Sequence, residues 1–156
     1  MALKGFLGSD KGQQSFVRRV LVATDRSETA EYAVAWAAEL AERYEAELVL
    51  VQIVIPPGEA DPAVTADLAT HAKNLAGDRG RAVVAVNEDP SKAIVQAAED
   101  HDVDLVVVGN VGMSGRKEFL LGNVPNRVSH QTRRTCVIVN TMQTIEHRHE
   151  KRGFFR

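Results

Sequence analysis

The sequence predicts an α/β fold: a five-stranded parallel sheet with helices on both faces, a three-layer α/β/α arrangement. Three observations predict it. Short β-branched runs alternate strictly with stretches whose apolar residues recur at helical spacing, from residue 18 to residue 140. Three of the helical stretches open on a Ser or Asp cap, two of them followed at once by proline. The composition is 44% apolar with only 5% aromatic, so the core is built from Val, Leu, Ile and Ala. A chain of 156 residues suits one domain with a real core.

Residues 1–16 mix Gly, Ser, Gln, Lys and Asp without periodicity and read as a flexible leader. Residues 18–24 (RRVLVAT) form the first strand. Asp25-Arg26-Ser27 is a turn, and Ser27 caps a helix. Ala30, Ala33, Val34, Ala37, Leu40, Ala41 and Tyr44 share the inward face of that helix, with Trp36 packed at its flank. Glu28 and Glu31 suit the positive end of its dipole. Residues 47–55 (ELVLVQIVI) are the second strand, ended by Pro56-Pro57-Gly58. Asp61-Pro62 opens a helix with Val64, Leu68, Ala72 and Leu75 inward, and Gly77 stops it. Residues 81–86 are the third strand. Asp89-Pro90 opens a helix with Ile94, Ala97 and Ala98 inward. Residues 104–108 (DLVVV) are the fourth strand. A polar, glycine-bearing loop runs from Gly109 to Gly122. A short helix follows from Asn123 to about Gln131, then a fifth strand over residues 135–140. One domain spans residues 17–141, with a basic tail over 142–156. Right-handed crossovers leave two strand orders open, 2-1-3-4-5 and 3-2-1-4-5.

Several function classes are excluded at this level. No apolar run approaches the ~20 residues of a membrane span, and residues 1–14 lack the apolar stretch of a secretory signal. The single cysteine, Cys136, allows no intrachain disulfide and no four-cysteine zinc site. The five histidines form no metal pattern; His147 and His149 sit in the tail without further ligands. Ser27, Ser114 and Ser129 have no evident His and acid partners for nucleophilic catalysis. The net charge of −2 hides an asymmetry. Residues 1–111 carry 10 basic and 18 acidic side chains, and residues 112–156 carry 9 and 3. The basic third suits a phosphate or an acidic partner, or is a solvated face. A pI near 6.2 argues against duplex nucleic acid.

The informative segment is the loop after the fourth strand. Gly109 and Gly112 allow close backbone approach to a ligand, and Gly122 stands just before a helix start. Free N–H groups and the dipole favour an anion there. Arg116 and Lys117 lie in the loop, and Arg127 lies one turn into the helix. These features make a phosphate cradle, or an ordinary glycine-bearing loop. The spacing is not that of a P-loop, and the first strand–helix turn lacks the dinucleotide-binding glycines.

Three segments together carry a resemblance. They are VLVATDRS at the first strand, DPSKAIVQAAEDHDVDLVVVGNVG, and the Gly-x2-Gly-x9-Gly run ending in GNVPNRVSH. Over residues 17–141 the chain resembles the universal stress protein family, in its ATP-binding branch. The resemblance implies a Rossmann-like sheet ordered 3-2-1-4-5, of the adenine nucleotide alpha-hydrolase-like type. It places a nucleotide where strands 1 and 4 end side by side. It implies that Ala23 and Thr24 line the strand end and that Asp25 contacts the ribose or the adenine side. Ile53 or Val54 would pack by the adenine. Gly109, Gly112, Gly122 and Asn123 would hold ribose and phosphates, with Met113 and Arg116 in the loop and Val124 opening the helix. Two positions depart from the family pattern. Arg26 stands where the family often has Gly, and Asn123 where ATP-binding members usually have Ser or Thr. Pro125 also removes a free N–H near the helix start.

Without a ligand role, Asp25 is a turn residue, Met113 a loop plug, and Cys136 a small buried hydrophobe. The resemblance implies a cytoplasmic ATP-binding protein, with Mg2+ accompanying ATP, that acts by binding and signalling. No general base is evident. It also implies a homodimer through the strand at 135–140, with no nucleic acid and no membrane as partner. Two other functions fit the same residues: a nucleotide-free interaction module of a longer protein, or a weak ATP-hydrolysing enzyme.

Overall fold

Alternate residues of a strand face opposite sides of a sheet, so a strand apolar at every position needs cover on both faces. The computed structural model, which describes residues 15–110 and 124–141, has that architecture. Strands β1 (Arg19–Ala23), β2 (Glu47–Val54), β3 (Gly80–Val86), β4 (Leu105–Gly109) and β5 (Thr135–Val139) form one sheet in the order β3-β2-β1-β4-β5. Every pairing is parallel. Of the two orders open to the sequence, this is the one the resemblance implies. The expected leader and tail fall outside the described residues, apart from Ser15 and Phe16.

Helices α1 (Glu28–Tyr44) and α2 (Pro62–Ala76) cover one face. There Val20, Val22, Leu48, Leu50, Leu105 and Val107 meet Ala33, Val34, Ala37 and Ala41 of α1 and Leu68 and Ala72 of α2. Helices α3 (Pro90–Asp100) and α4 (Val124–Gln131) cover the other face. Leu21, Val49, Val51, Val106 and Val108 pack there on Ile94, Ala97 and Ala98 of α3 and Val128 of α4. The helix starts follow the sequence. Ser27 Oγ accepts from the Ala30 N–H, Asp61 Oδ1 from the Ala63 N–H, and Asp89 Oδ1 from those of Ser91 and Lys92. Gly77 closes α2 at a φ of 56°.

Some boundaries move. β1 is one residue shorter at each end than expected, and β3 begins one residue earlier, at Gly80. A Cβ on Gly80 would strike the Ala72 carbonyl of α2, so strand and helix backbones approach there as only glycine permits. Ile55 lies beyond β2 and is exposed. The inward stripe of α1 stops before Tyr44, which is 46% exposed. Tyr44 is the last residue of α1, at the turn into β2. Trp36, expected at the flank, is 47% exposed, because it stands about 100° around the helix from buried Ala37. Among the described residues no helix is long and apolar enough to cross a membrane.

Candidate functional site

β1 and β4 lie side by side, and the chain leaves them in opposite directions. From β1 it passes through α1 to β2; from β4 it reaches β5 through α4, on the other face. A crevice opens at the carboxyl ends of two such strands, where open α/β sheets bind ligands. Ala23 and Gly109 end the two strands.

The β1–α1 turn is built from its own side chains. The Thr24 N–H donates to the Val51 carbonyl at 2.9 Å, tying the turn to β2. Thr24 is buried; its Oγ1 accepts from the Arg26 N–H at 3.0 Å and donates to Glu31 Oε1 at 3.3 Å. Asp25 Oδ1 accepts from the Ser27 N–H at 2.9 Å. Both residues therefore serve the turn, and among the described residues Asp25 Oδ2 makes no hydrogen bond. Arg26 has a φ of 66°, the left-handed region that glycine adopts freely. This is the position where the family often carries Gly. The Arg26 guanidinium lies 3.6 Å from Glu31 and 3.7 Å from Asp67 of α2, and Glu31 also meets His71 Nε2 at 2.7 Å.

Strand alternation sorts the remaining expected residues. Ala23, Ile53 and Val124 all pack against the core on the α3/α4 face. Val54 follows Ile53 and turns to the opposite face. The structure therefore puts Ala23, Ile53 and Val124 on one face of the sheet and Val54 on the other. Gly112, Met113, Arg116, Gly122 and Asn123 lie outside the described residues.

Three features were not legible in the sequence. Asn110 stitches β4 to β5: its N–H donates to the Val139 carbonyl, and its Oδ1 accepts from the Thr141 N–H and hydroxyl at 2.9 and 3.1 Å. The Glu31–His71 contact joins residues 40 apart in sequence. Arg127, expected in the cradle, donates to Asp89 Oδ2 at 2.6 Å. The Ser91 hydroxyl and Arg127 hold the Asp89 carboxyl far below the usual carboxylate range. Arg134 is likewise engaged, by Glu99 and Asp102. Part of the basic charge in the final third thus answers acids on the protein itself. Cys136 is half-buried, and desolvation pushes its thiol pKa up.

A cleft of about 400 Å³ lies at the other end of the sheet, lined by Arg19, Glu47, Arg81, Asp100, His101 and Asp102. Its arginines already pair with Glu47 and Asp102. It is remote from the strand ends at which α/β sheets bind ligands. Among the described residues no three His, Cys, Asp or Glu side chains group closely enough to hold a metal ion.

The same fold and sequence pattern recur in known proteins. The model of the universal stress protein family matches residues 17–140. The universal stress protein Rv1636 of Mycobacterium tuberculosis is 32% identical over 148 residues, covering 81% of this chain and 99% of its own. A universal stress protein solved in complex with cAMP is 29% identical, with a TM-score of 0.60 over 81% of this chain and 99% of that one. Protein MJ0577, whose structure was used to assign its biochemical function, is 26% identical at a TM-score of 0.61, covering 81% of this chain and 97% of that one. With the family's motifs on the strand ends and its model matching nearly the whole described domain, the chain belongs to the universal stress protein family.

Proposed function

We propose that this chain is an ATP-binding universal stress protein that acts by holding a nucleotide and changing its interaction surface. The observation that carries the reading is that Ala23, Ile53 and Val124 pack on one face of the sheet, where Ala23 ends β1 beside the end of β4 at Gly109. An apolar strip beside an acidic turn suits adenosine. Ala23 and Ile53 flank the adenine, and Asp25 Oδ2, which makes no hydrogen bond among the described residues, accepts from the ribose. Thr24 acts by shaping the turn, and Val54 supports the strand from the other face. Gly109, Gly112, Gly122, Asn123 and the Val124 N–H receive the phosphates, with Met113 and Arg116 beside them. Mg2+ comes with the phosphates of ATP. Binding of ATP favours one conformation of the site and so one partner surface, a population shift and not a turnover.

A second ligand has its own support: the 29% identical relative was solved with cAMP. Thermal shift with ATP, GTP and cAMP separates the readings. ATP at 100 times its Kd adds about 2.7 kcal/mol of stability. A larger shift with cAMP would make the cyclic nucleotide the ligand, and no shift with millimolar ATP and magnesium would overturn the ATP reading. Gly112→Val and Gly122→Val are expected to abolish binding, as read by calorimetry on the folded variants. The dimer implied by the family places two β5 edges antiparallel about a two-fold axis, which lets one edge serve both subunits. We assign the protein to the cytoplasm on the same family grounds.

A further inference from the structure

α4 has eight residues, well short of the roughly 12 at which an isolated helix begins to hold. It fully buries one side chain, Val128, and packs Val124 partly. Pro125 takes one backbone donor from its first turn. A polar anchor supplements this small apolar contact. Arg127 Nη2 donates to Asp89 Oδ2 at 2.6 Å, across 38 residues of sequence. Asp89 is itself fixed: its Oδ1 accepts from the Ser91 hydroxyl at 2.6 Å and from the Ser91 and Lys92 N–H groups at 3.1 and 3.3 Å. Those bonds cap α3, which the buried Ile94, Ala97 and Ala98 hold on the sheet. Arg127 therefore ties a short helix to a firmly seated one. It lies three residues after Val124, so on the same side of α4 one turn on.

We infer that Arg127, gripped by Asp89, is a positioning residue that sets the first turn of α4, and with it Val124, where the phosphates of a nucleotide are received. The inference rests on the nucleotide-binding reading and adds to it which charge does not touch the ligand. Arg127 gives its hydrogen bond to Asp89 and acts on the phosphates through the helix it holds. The bond is short and charge-assisted, but Arg127 is 42% exposed, so it orients the helix more than it stabilises the fold.

Calorimetry of the full chain with ATP and with adenosine tests this, on the unmodified protein, Asp89→Asn, Arg127→Gln and the double variant. Each single substitution is expected to weaken ATP binding about tenfold, and the double no further, because both break one contact. Adenosine, with no phosphate to place, should bind all four proteins alike. Amide exchange over residues 126–131 of the free protein should quicken in every variant. If Asp89→Asn preserves or improves ATP binding, Arg127 is itself a phosphate ligand and the positioning role falls. Equal losses for ATP and adenosine reduce the pair to a support of the fold and also overturn it, as does unchanged exchange in α4. Binding of neither ligand by the unmodified protein overturns the nucleotide reading and the positioning role together. ATP affinity unchanged in all three variants removes only the latter.

Discussion

Arg26 holds a left-handed backbone at a φ of 66°, which costs a non-glycine residue about 1–2 kcal/mol. Its ion pairs with Glu31 and Asp67 are long and partly exposed, so they return little of that cost. Arg26→Gly relieves that cost but adds about 0.5–1 kcal/mol of backbone entropy, so it is expected to leave the melting temperature unchanged or slightly raised, whereas Arg26→Val, β-branched at the same φ, lowers it by several degrees in a calorimetric scan. Asp89 offers a pH-dependent counterpart. Its carboxyl titrates below its ordinary value, chiefly through the Ser91 hydroxyl. The stabilisation it supplies is fully present above the unfolded value, near pH ~4, and fades as pH falls below that. Denaturant titrations should thus separate unmodified protein from Asp89→Asn most widely at pH 7, with the gap closing in acid. What was legible at this scale was local. Ser27, Asp61 and Asp89 announce helix starts because each side chain bonds a backbone N–H two or three residues on. Glu31–His71 and Asp89–Arg127 join residues 40 and 38 apart. No spacing rule reaches across such a gap, so the sequence puts Arg127 beside the phosphate loop without showing its bond to Asp89.

At the scale of elements, the strands were legible because each is a largely β-branched run, four of the five with Gly, Pro or Asp at an end. Tyr44 was misplaced, because helical periodicity finds a face but not how far along the helix that face stays covered. The start of β3 was missed for a related reason. Gly80 is required by the backbone of α2 against it, a distance set only when helix and strand have packed. Gly80→Ala should therefore cost about 1–3 kcal/mol, since a methyl would have to displace the Ala72 carbonyl. Gly77→Ala makes a useful companion. No atom lies within 4 Å of a Cβ there, so its smaller penalty, about 1 kcal/mol, comes from the positive φ alone. Urea unfolding of the two variants distinguishes crowding from backbone strain by size.

For the molecule as a whole, the two sheet edges differ. On β3 the exposed Arg81 side chain folds back onto the carbonyls of Asp78 and Gly80, a charged edge of the kind that discourages pairing. β5 has no charged residue and exposes Ile138 at 47%. If the proposed dimer forms there, Ile138→Asp should yield a monomer by light scattering with little change in unfolding of the subunit. A dimer that persists at low micromolar concentration would place the contact elsewhere. The site and its supports cluster at the carboxyl ends of the strands, and the links at Glu45–Ala46, Gly77–Arg79 and residues 101–104 turn at the other end. That separation, with one half-buried cysteine of raised pKa, makes the protein easy to immobilise in a chosen orientation. At neutral pH Cys136 is almost wholly thiol and reacts slowly with maleimide. A cysteine placed at the exposed Asp78 would couple first, and the chain would stand on a sensor surface with the carboxyl ends of its strands, where the nucleotide is proposed to bind, toward the flow.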